Sequence, residues 1–443
     1  MIHEALEKLL GGEDLSRAEA ETVMEDFLSG RGTEAQRAAF ETALSMKGAT
    51  RDEAAGIAAA QARHGSDGPA RCATPPGERG SQDRSAVQDF HLMRMMMERG
   101  DDLSRREAEN AMEAILTGQV GDSAIAALLT ALRFKGETAD EVAGFATAMR
   151  RHAPQIFPRG HALADEAFVD TSGTGGDARG TFNVSTVTAF VVAGAGVRVA
   201  KHGNRSASSL CGSADVLEQL GMRIDLPPER VARAIEEVGI GFLFAPVMHA
   251  ATRHAAKVRR ELKFRTVFNL LGPLTNPANA LARIVGVYDA GVTELMAEAL
   301  GELGVVHAFV VHGADGLDEI SISDETFVSE LRNGAVRNYT VAPEEFGLKR
   351  APLESIRGGD PKQNSEIIHK ILGRSLLYRE HTPHRDIVLA NASAALVAAG
   401  KARDFRDGVD LATESIDSGA ARDKLEKLIA FSQAEDKSTQ AAS

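Results

Sequence analysis

Cysteine is nearly absent from these 443 residues: only Cys72 and Cys211 occur, at no metal-like spacing. That excludes a disulfide framework and a cysteine-based zinc site, and both thiols are expected to be inert. Long apolar runs are missing too. The longest, from Val184 to Val192 and onward, is broken by Ser185, Thr186 and Thr188, far short of the ~20 residues a bilayer crossing needs, so no membrane partner is expected. The acidic start MIHEALEKLLGGEDL has neither the basic opening nor the apolar middle of a signal peptide, and a cytoplasmic location is expected. Positive charge is in deficit: the formal net charge of −13 argues against a nucleic-acid partner, whose phosphates need a basic face. None of the 13 histidines has the i, i+4 spacing with glutamate of a zinc hydrolase helix. What remains is ordinary globular usage, 43% apolar and 26% charged, in a chain long enough for two or three domains.

The chain contains a duplication. Residues Asp14 to His64 align without a gap on Asp102 to His152, and 27 of the 51 aligned positions are identical. Both copies read as helices. Each opens with Leu-Ser-Arg, where Ser16 or Ser104 is a candidate N-cap and Glu19 or Glu107 stands at the capping-box position. Gly30 and Gly118 end a helix, and Thr50 and Thr138 precede another helix start. One difference separates the copies. Ile125, Leu128, Leu129 and Leu132 form an apolar stripe in the second, where the first has Arg37, Phe40, Glu41 and Leu44. Two charges interrupt the stripe, so the first copy is expected to meet water or a polar partner on that side.

Between the copies, Gly65 to Ala86 concentrates Gly, Pro, Ser and charge, the composition of a solvated linker. From Phe168 onward short β-branched runs (AFVD, VRVAKHG, ARIVGVYD, VVHAFVVHG) alternate with helical stretches, which predicts an α/β domain with a mostly parallel sheet. The expected division is an extra helical copy at 1–64, a linker at 65–86, a helical domain at 87–158, an α/β domain at 159–431 and a frayed tail at 432–443.

Four segments carry chemistry. The strand AFVD runs into Thr171-Ser-Gly173-Thr-Gly-Gly176-Asp177, and after Thr181 a helix opens with Asn183-Val184-Ser185-Thr186. Glycines let backbone N–H groups approach a phosphate, and a helix N-terminus adds oriented donors, so this loop suits a pyrophosphate. The second segment, Lys201-His202-Gly203-Asn204-Arg205-Ser206-Ala207-Ser208-Ser209, follows the next strand and leads to the helix start at Ser213. It lies at a strand's carboxyl end, where open α/β sheets bind ligands. Third, Arg253 to Arg265 is a basic helix; Val258 and Leu262 fall on its apolar face, leaving Arg259 able to fork onto a carboxylate. Fourth, the strand VVHAFVVHG ends in a loop bearing Asp318 and Glu319, adjacent carboxylates suited to hard Mg2+.

These segments, in this order and joined by TVFNLLGPLTNPA at Thr266 to Ala278, resemble the anthranilate phosphoribosyltransferases over roughly Phe90 to Phe431. The resemblance implies a nucleoside phosphorylase type of fold, a small helical domain and a larger α/β domain with substrates in the cleft between them. It implies that Gly173, Gly176, Asp177, Thr181, Asn183, Val184, Ser185, Thr186, the run Lys201 to Ser209 and Ser213 hold phosphoribosyl pyrophosphate. By the same resemblance Ser185, Asp318 and Glu319 serve Mg2+, while Gly173, Asn204 and Arg259 meet anthranilate with His202 and His249 nearby. No covalent nucleophile is implied. A homodimer through the helical domain is expected.

Two departures from that family stand out. Ala250 and Lys263 occupy positions where its members usually carry proline and glycine, and the first helical copy is extra. A pyrimidine nucleoside phosphorylase is the alternative enzyme; Asn204 and the Asp318–Glu319 pair speak against it. A non-catalytic paralogue using the duplicated helices as an interaction module would have lost Lys201, Asp177 or the acidic pair, and all are present.

Overall fold

The computed structural model describes every residue except 65–89, 92, 98, 159, 164, 165, 167, 207, 208, 374–381 and 435–443. The expected linker, Cys72, Ala207, Ser208 and most of the expected tail therefore lie outside the described residues. Two compact units form, Met1–His152 with Ala251–Leu271, and Ala153–Ala250 with Gly272–Ser443. Segment 251–271, assigned above to the α/β part, thus packs with the helices, because its buried Ala255, Val258 and Leu262 belong to a helix with an apolar face to cover.

The helical unit repeats itself in atomic detail. Copy one holds α1 (Ile2–Leu10), α2 (Arg17–Leu28), α3 (Glu34–Lys47) and α4 (Arg51–Arg63); copy two holds α5 (Arg105–Leu116), α6 (Asp122–Lys135) and α7 (Ala139–His152). Ser16 Oγ and Ser104 Oγ accept the N–H of Glu19 and Glu107, and those glutamates accept the serine N–H at 2.8 Å in return. Each box satisfies helix-end donors that would otherwise be orphaned. Thr50 and Thr138 do the same with Glu53 and Glu141, which are fully buried. Burial of those carboxylates is tolerable because Glu53 also accepts from Leu15 N and Lys47 Nζ, and Glu141 from Leu103 N and Lys135 Nζ. Gly30 and Gly118 take left-handed backbone at φ +74° and +69°.

In the second unit a seven-stranded sheet runs in the order β3-β2-β1-β4-β5-β6-β7. The strands are β1 (Val169–Asp170), β2 (Val199–Gly203), β3 (Ile240–Phe244), β4 (Ala282–Gly286), β5 (His307–Gly313), β6 (Thr326–Arg332) and β7 (Ala335–Val341). The first five pair in parallel and the last two add an antiparallel hairpin. The four expected strands became β1, β2, β4 and β5. The hairpin turns at Asn333-Gly334, both at positive φ (+51° and +81°), as a tight turn between right-twisted strands requires. Helix α8 (Val184–Gly194) is buried along nearly its whole length in the apolar core beside the sheet, which explains the apolar run that the sequence broke only with Ser185, Thr186 and Thr188. The final helix (Ala420–Gln433) includes Ser432, whose Oγ accepts from Arg223 N at 3.0 Å, so the expected fraying does not begin at 432. Among the described residues no helix is long and apolar enough to cross a membrane.

Lys263 explains one departure noted above. It terminates the basic helix (Arg253–Leu262) with φ +58° and ψ 4°, the left-handed cap position where glycine carries no Cβ clash. Lys263→Gly is expected to stabilise the helical unit by about 1 kcal/mol. A thermal midpoint that stays the same or falls would show that the lysine side chain compensates the strain.

Candidate functional site

The order of the parallel strands reverses between β1 and β4, and connections leave on opposite sides there, which opens a crevice at the carboxyl ends of the strands. Gly173, three residues past the end of β1, forms a bridge with Gly286 at the end of β4. A methyl group on Gly173 would lie 3.0 Å from the Gly286 carbonyl and 3.3 Å from an Asp318 carboxylate oxygen. One on Gly286 would lie 1.5 Å from the Asp318 carbonyl oxygen. Two glycines thus let the glycine-rich loop after β1 and the acidic loop after β5 come together, and Gly286 was not singled out from the sequence. Thr171, Ser172, Gly173, Ser185, Gly286, Asp318 and Glu319 line one small cavity.

Lys201, on β2, reaches into the same place. Its buried Nζ donates to the Thr171 carbonyl at 3.2 Å and lies 3.4 Å from Ser185 Oγ, while Ser185 N donates to Glu319 Oε1 at 3.1 Å. Burial lowers the lysine pKa, opposed by the nearby charges of Asp170 and Glu319. Desolvation drives Asp318 and Glu319 the other way; Asp177 and Asp318 add like-charge repulsion that raises both further. Both residues are partly exposed, yet their carboxyl groups sit among protein atoms that replace water. Asp177 Oδ1 accepts from Arg179 N at 3.1 Å, and the Arg179 guanidinium lies against Gly316 of the acidic loop. Among the described residues no three His, Cys, Asp or Glu side chains gather closely enough to hold a metal by themselves. A cation here needs oxygens from a substrate as well.

Asn183 precedes α8, but its side chain does not cap it. Nδ2 donates to the Cys211 carbonyl at 3.0 Å and Oδ1 accepts from Asn364 Nδ2 at 2.9 Å. The Cys211 thiol is pushed up to about 11 by burial, which makes it the inert thiol expected. At the start of α8 Ser185 N donates to Glu319 and Thr186 N to the Asn183 carbonyl, with Val184 and Thr186 buried beneath. Gly176 has φ +84° and Thr181 bridges to Arg357, closing the loop.

After β2, Asn204 and Ser213 bond each other, Ser213 Oγ accepting from Asn204 N at 3.2 Å. Ser213 is the first residue of α9 (Ser213–Gln219) and not its cap, which is Gly212. Gly203 is needed because a Cβ there would meet Ser213 Oγ at 2.3 Å. Arg205 is engaged elsewhere: its guanidinium donates to Asp215 at 2.9 Å and to Glu218 at 2.8 Å. Ser206 and Ser209 bond each other at 2.7 Å. These three residues build the loop's own framework and are not brought to Lys201.

His202 and His249 meet edge to face with ring centroids 5.1 Å apart. Burial lowers them to about 4 and about 3, so both rings are neutral at physiological pH. His202 Nε2 is buried without a hydrogen-bond partner among the described residues. Arg259 belongs to the helical unit. Its guanidinium lies 5.0 Å over the Phe268 ring, burial alone lowers its pKa, and no carboxylate pairs with it among the described residues.

Sequence reading missed the groups beneath these loops. Asp170 is wholly buried; it accepts from Ser172 Oγ (2.9 Å), Asn276 Nδ2 (2.8 Å) and His202 N (3.2 Å), with Arg283 Nη1 4.0 Å away. Asn391 clamps the acidic loop, its Oδ1 accepting from Ile320 N at 3.0 Å and its Nδ2 donating to Ile320 O at 3.1 Å.

Among known proteins, residues 165–422 match the family described as glycosyl transferase family, a/b domain, and residues 3–65 and 92–153 both match the glycosyl transferase family, helical bundle domain. An anthranilate phosphoribosyltransferase of Symbiobacterium thermophilum is 55% identical over 340 residues, 77% of this chain and 96% of that protein. The one from Moorella thermoacetica is 53% identical over 332 residues, 75% and 95% of the two chains. A crystal structure of anthranilate phosphoribosyltransferase from Thermus thermophilus is similar with a TM-score of 0.71 at 46% identity, covering 79% of this chain and 99% of that one. The Saccharomyces cerevisiae enzyme in complex with PRPP (phosphoribosyl pyrophosphate) and Mg gives a TM-score of 0.69 at 28% identity over 80% and 98%. Another structure of that yeast enzyme holds 4-fluoroanthranilate.

Gly286→Ala should displace the acidic loop without unfolding the sheet, since the atoms nearest the added methyl are the Asp318 backbone. Turnover is expected to fall about 100-fold, the cost of roughly 1 Å of misplacement. Unaltered turnover with an unchanged circular dichroism spectrum would show that the loop has slack.

Proposed function

We propose a division of labour among these residues from the premise that the chain belongs to the anthranilate phosphoribosyltransferases, in the glycosyl transferase family of helical-bundle and α/β domains. The chain transfers the phosphoribosyl group of phosphoribosyl pyrophosphate to the amino group of anthranilate, giving N-(5-phosphoribosyl)anthranilate and pyrophosphate, in tryptophan biosynthesis. The observation that supports the roles best is the convergence of the Gly173 loop, Lys201, Ser185 and the Asp318–Glu319 pair at the switch point of the sheet.

In this reading Gly173, Gly176, Asp177, Thr181 and the start of α8 at Asn183, Val184, Ser185 and Thr186 take the pyrophosphate and ribose end. Lys201 supplies a point charge, and His202, Gly203, Asn204 and Ser213 shape the second wall. Ser185, Asp318 and Glu319 hold Mg2+. The fit rests on the crowding of like charges: carboxyls that raise one another's pKa gain most when a cation arrives. Mg2+ takes few protein ligands and completes its shell with phosphate oxygens and water, which suits two carboxylates and a hydroxyl. Bound there, Mg2+ offsets charge on the departing pyrophosphate.

Anthranilate's aromatic amine is neutral at physiological pH and needs orientation more than deprotonation. Its nitrogen bonds to the anomeric carbon as the carbon–oxygen bond to pyrophosphate breaks, and the proton leaves the acidic arylammonium product to water. Catalysis therefore rests on positioning and charge stabilisation. Arg259, a guanidinium with no carboxylate partner among the described residues, forks onto the substrate carboxylate. Gly173, Asn204 and the neutral His249 ring border the aromatic acceptor. A cytoplasmic setting suits these small substrates.

Asp318→Asn with Glu319→Gln is expected to abolish Mg2+-dependent turnover while the protein still folds, because the change removes charge repulsion. Differential scanning fluorimetry adds a second readout: Mg2+ with phosphoribosyl pyrophosphate should raise the midpoint of the unaltered protein and not of the variant. Turnover that persists at limiting Mg2+ would refute the metal assignment. Arg259→Ala should chiefly raise the KM for anthranilate, followed by the loss of its fluorescence, and leave the KM for phosphoribosyl pyrophosphate alone. The opposite pattern would mean that Arg259 serves the other substrate.

A further inference from the structure

Helices α3 and α6 are the same helix of the two copies, and they pack against each other along much of their length, as extensively as neighbouring helices within one copy. A contact between equivalent elements is isologous in form: one patch is used twice, once from each side. The residues agree. Ala39 and Ala127, Phe40 and Leu128, and Ala43 and Ala131 are equivalent pairs, and all six are buried. The face is self-complementary, and within this chain it is occupied.

The copies differ in how their equivalent helices meet the basic helix. The basic helix (Arg253–Leu262) packs on α6, with Lys257 Nζ 2.6 Å from Asp122. Ile125 and Leu129 follow Asp122 at three and seven residues, the spacing of one helix face, and both are buried. Copy one has no basic helix of its own. At the matching positions Arg37 and Glu41 form an exposed pair at 2.8 Å, the polar side expected from the sequence. Copy one has kept the pairing face and exchanged the other for a solvated one.

We propose that copy one takes, inside a single chain, the place that a second chain's helical module would take in a symmetric dimer, so that the protein is a monomer whose self-pairing face is filled internally. The homodimer implied by resemblance is thereby formed within one molecule. Relatives spanned over 95–96% of their length by 75–77% of this chain have room for one helical copy, which leaves the equivalent face open to another occupant. Covalent connection gives copy one an effective concentration that a second chain must outcompete.

Sedimentation equilibrium tests this. The full chain is expected to sediment at its own mass, 47.0 kDa, across the micromolar range. A chain beginning at Ala86, which retains everything that the relatives contain, is expected at twice its own mass with anthranilate turnover within a few-fold of the full chain. A dimeric full chain, or a shortened chain that is active and monomeric, would overturn the proposal. Should the shortened chain precipitate, Phe40→Asp with Ala43→Asp in the full chain dislodges copy one by charge alone. Concentration-dependent dimers of that variant support internal pairing, and a strictly monomeric variant refutes it.

Discussion

One buried carboxylate holds the carboxyl end of the sheet's central strands together. Asp170 closes the shortest strand in the sheet, and its oxygens tie three segments: the loop that follows it through Ser172, the neighbouring strand through His202 N, and the 272–278 segment through Asn276. Asn276 in turn donates to Ala200 O, and Arg283 adds a positive charge from the strand on the other side. A charge with no access to water is tolerable only when such donors surround it, and removing one partner of a set like this costs about 3–5 kcal/mol. Arg283 itself is wholly buried and donates to the Ala280 and Pro273 carbonyls, so it braces backbone as well as charge. A strand of two residues cannot fix a ligand loop by ladder hydrogen bonds. The carboxylate does so in their place.

Above that base the site is assembled in a state of imbalance. Lys201 is buried and held by a carbonyl and two hydroxyls, while Asp177, Asp318 and Glu319 repel one another nearby. In the proposed division of labour the crowded carboxylates favour a cation, while Lys201 beside Ser185 favours an anion.

Much of this was legible in the chain because the signals are local. The capping boxes at Ser16, Ser104 and Thr50 need only residues three apart, and the glycine loop after β1 needs only a strand followed by a helix start. What escaped notice depends on contacts between distant segments. Nothing around Gly286 announces that the Asp318 carbonyl passes over it, and nothing around Asn391 announces that it grips Ile320. Arg205 falls in the run that the resemblance assigns to phosphoribosyl pyrophosphate, yet Asp215 and Glu218 claim it from the next helix. The β6–β7 hairpin is different in kind. Its Asn333-Gly334 turn is a strong short-range signal, and attention to the parallel strands passed over it.

The duplication also bears on the substrate side of the enzyme. Copy one does more than cover α6, for Gln36 Nε2 donates to the Glu261 carbonyl at 3.0 Å, so α3 touches the basic helix as well. That carbonyl lies in the last turn of the helix, where acceptors are left without an intrahelical donor, and a side-chain amide is a suitable cap. Two residues before Glu261 stands Arg259, and two residues after it the strained Lys263. The end of this helix therefore combines a left-handed lysine, which loosens it, with a donor from copy one, which ties it down. A chain with a single helical copy has no Gln36 to offer, and glycine at the cap removes the strain by another route. The extra copy and the unusual lysine are thus two departures that meet at one helix end, two residues from the guanidinium assigned to anthranilate.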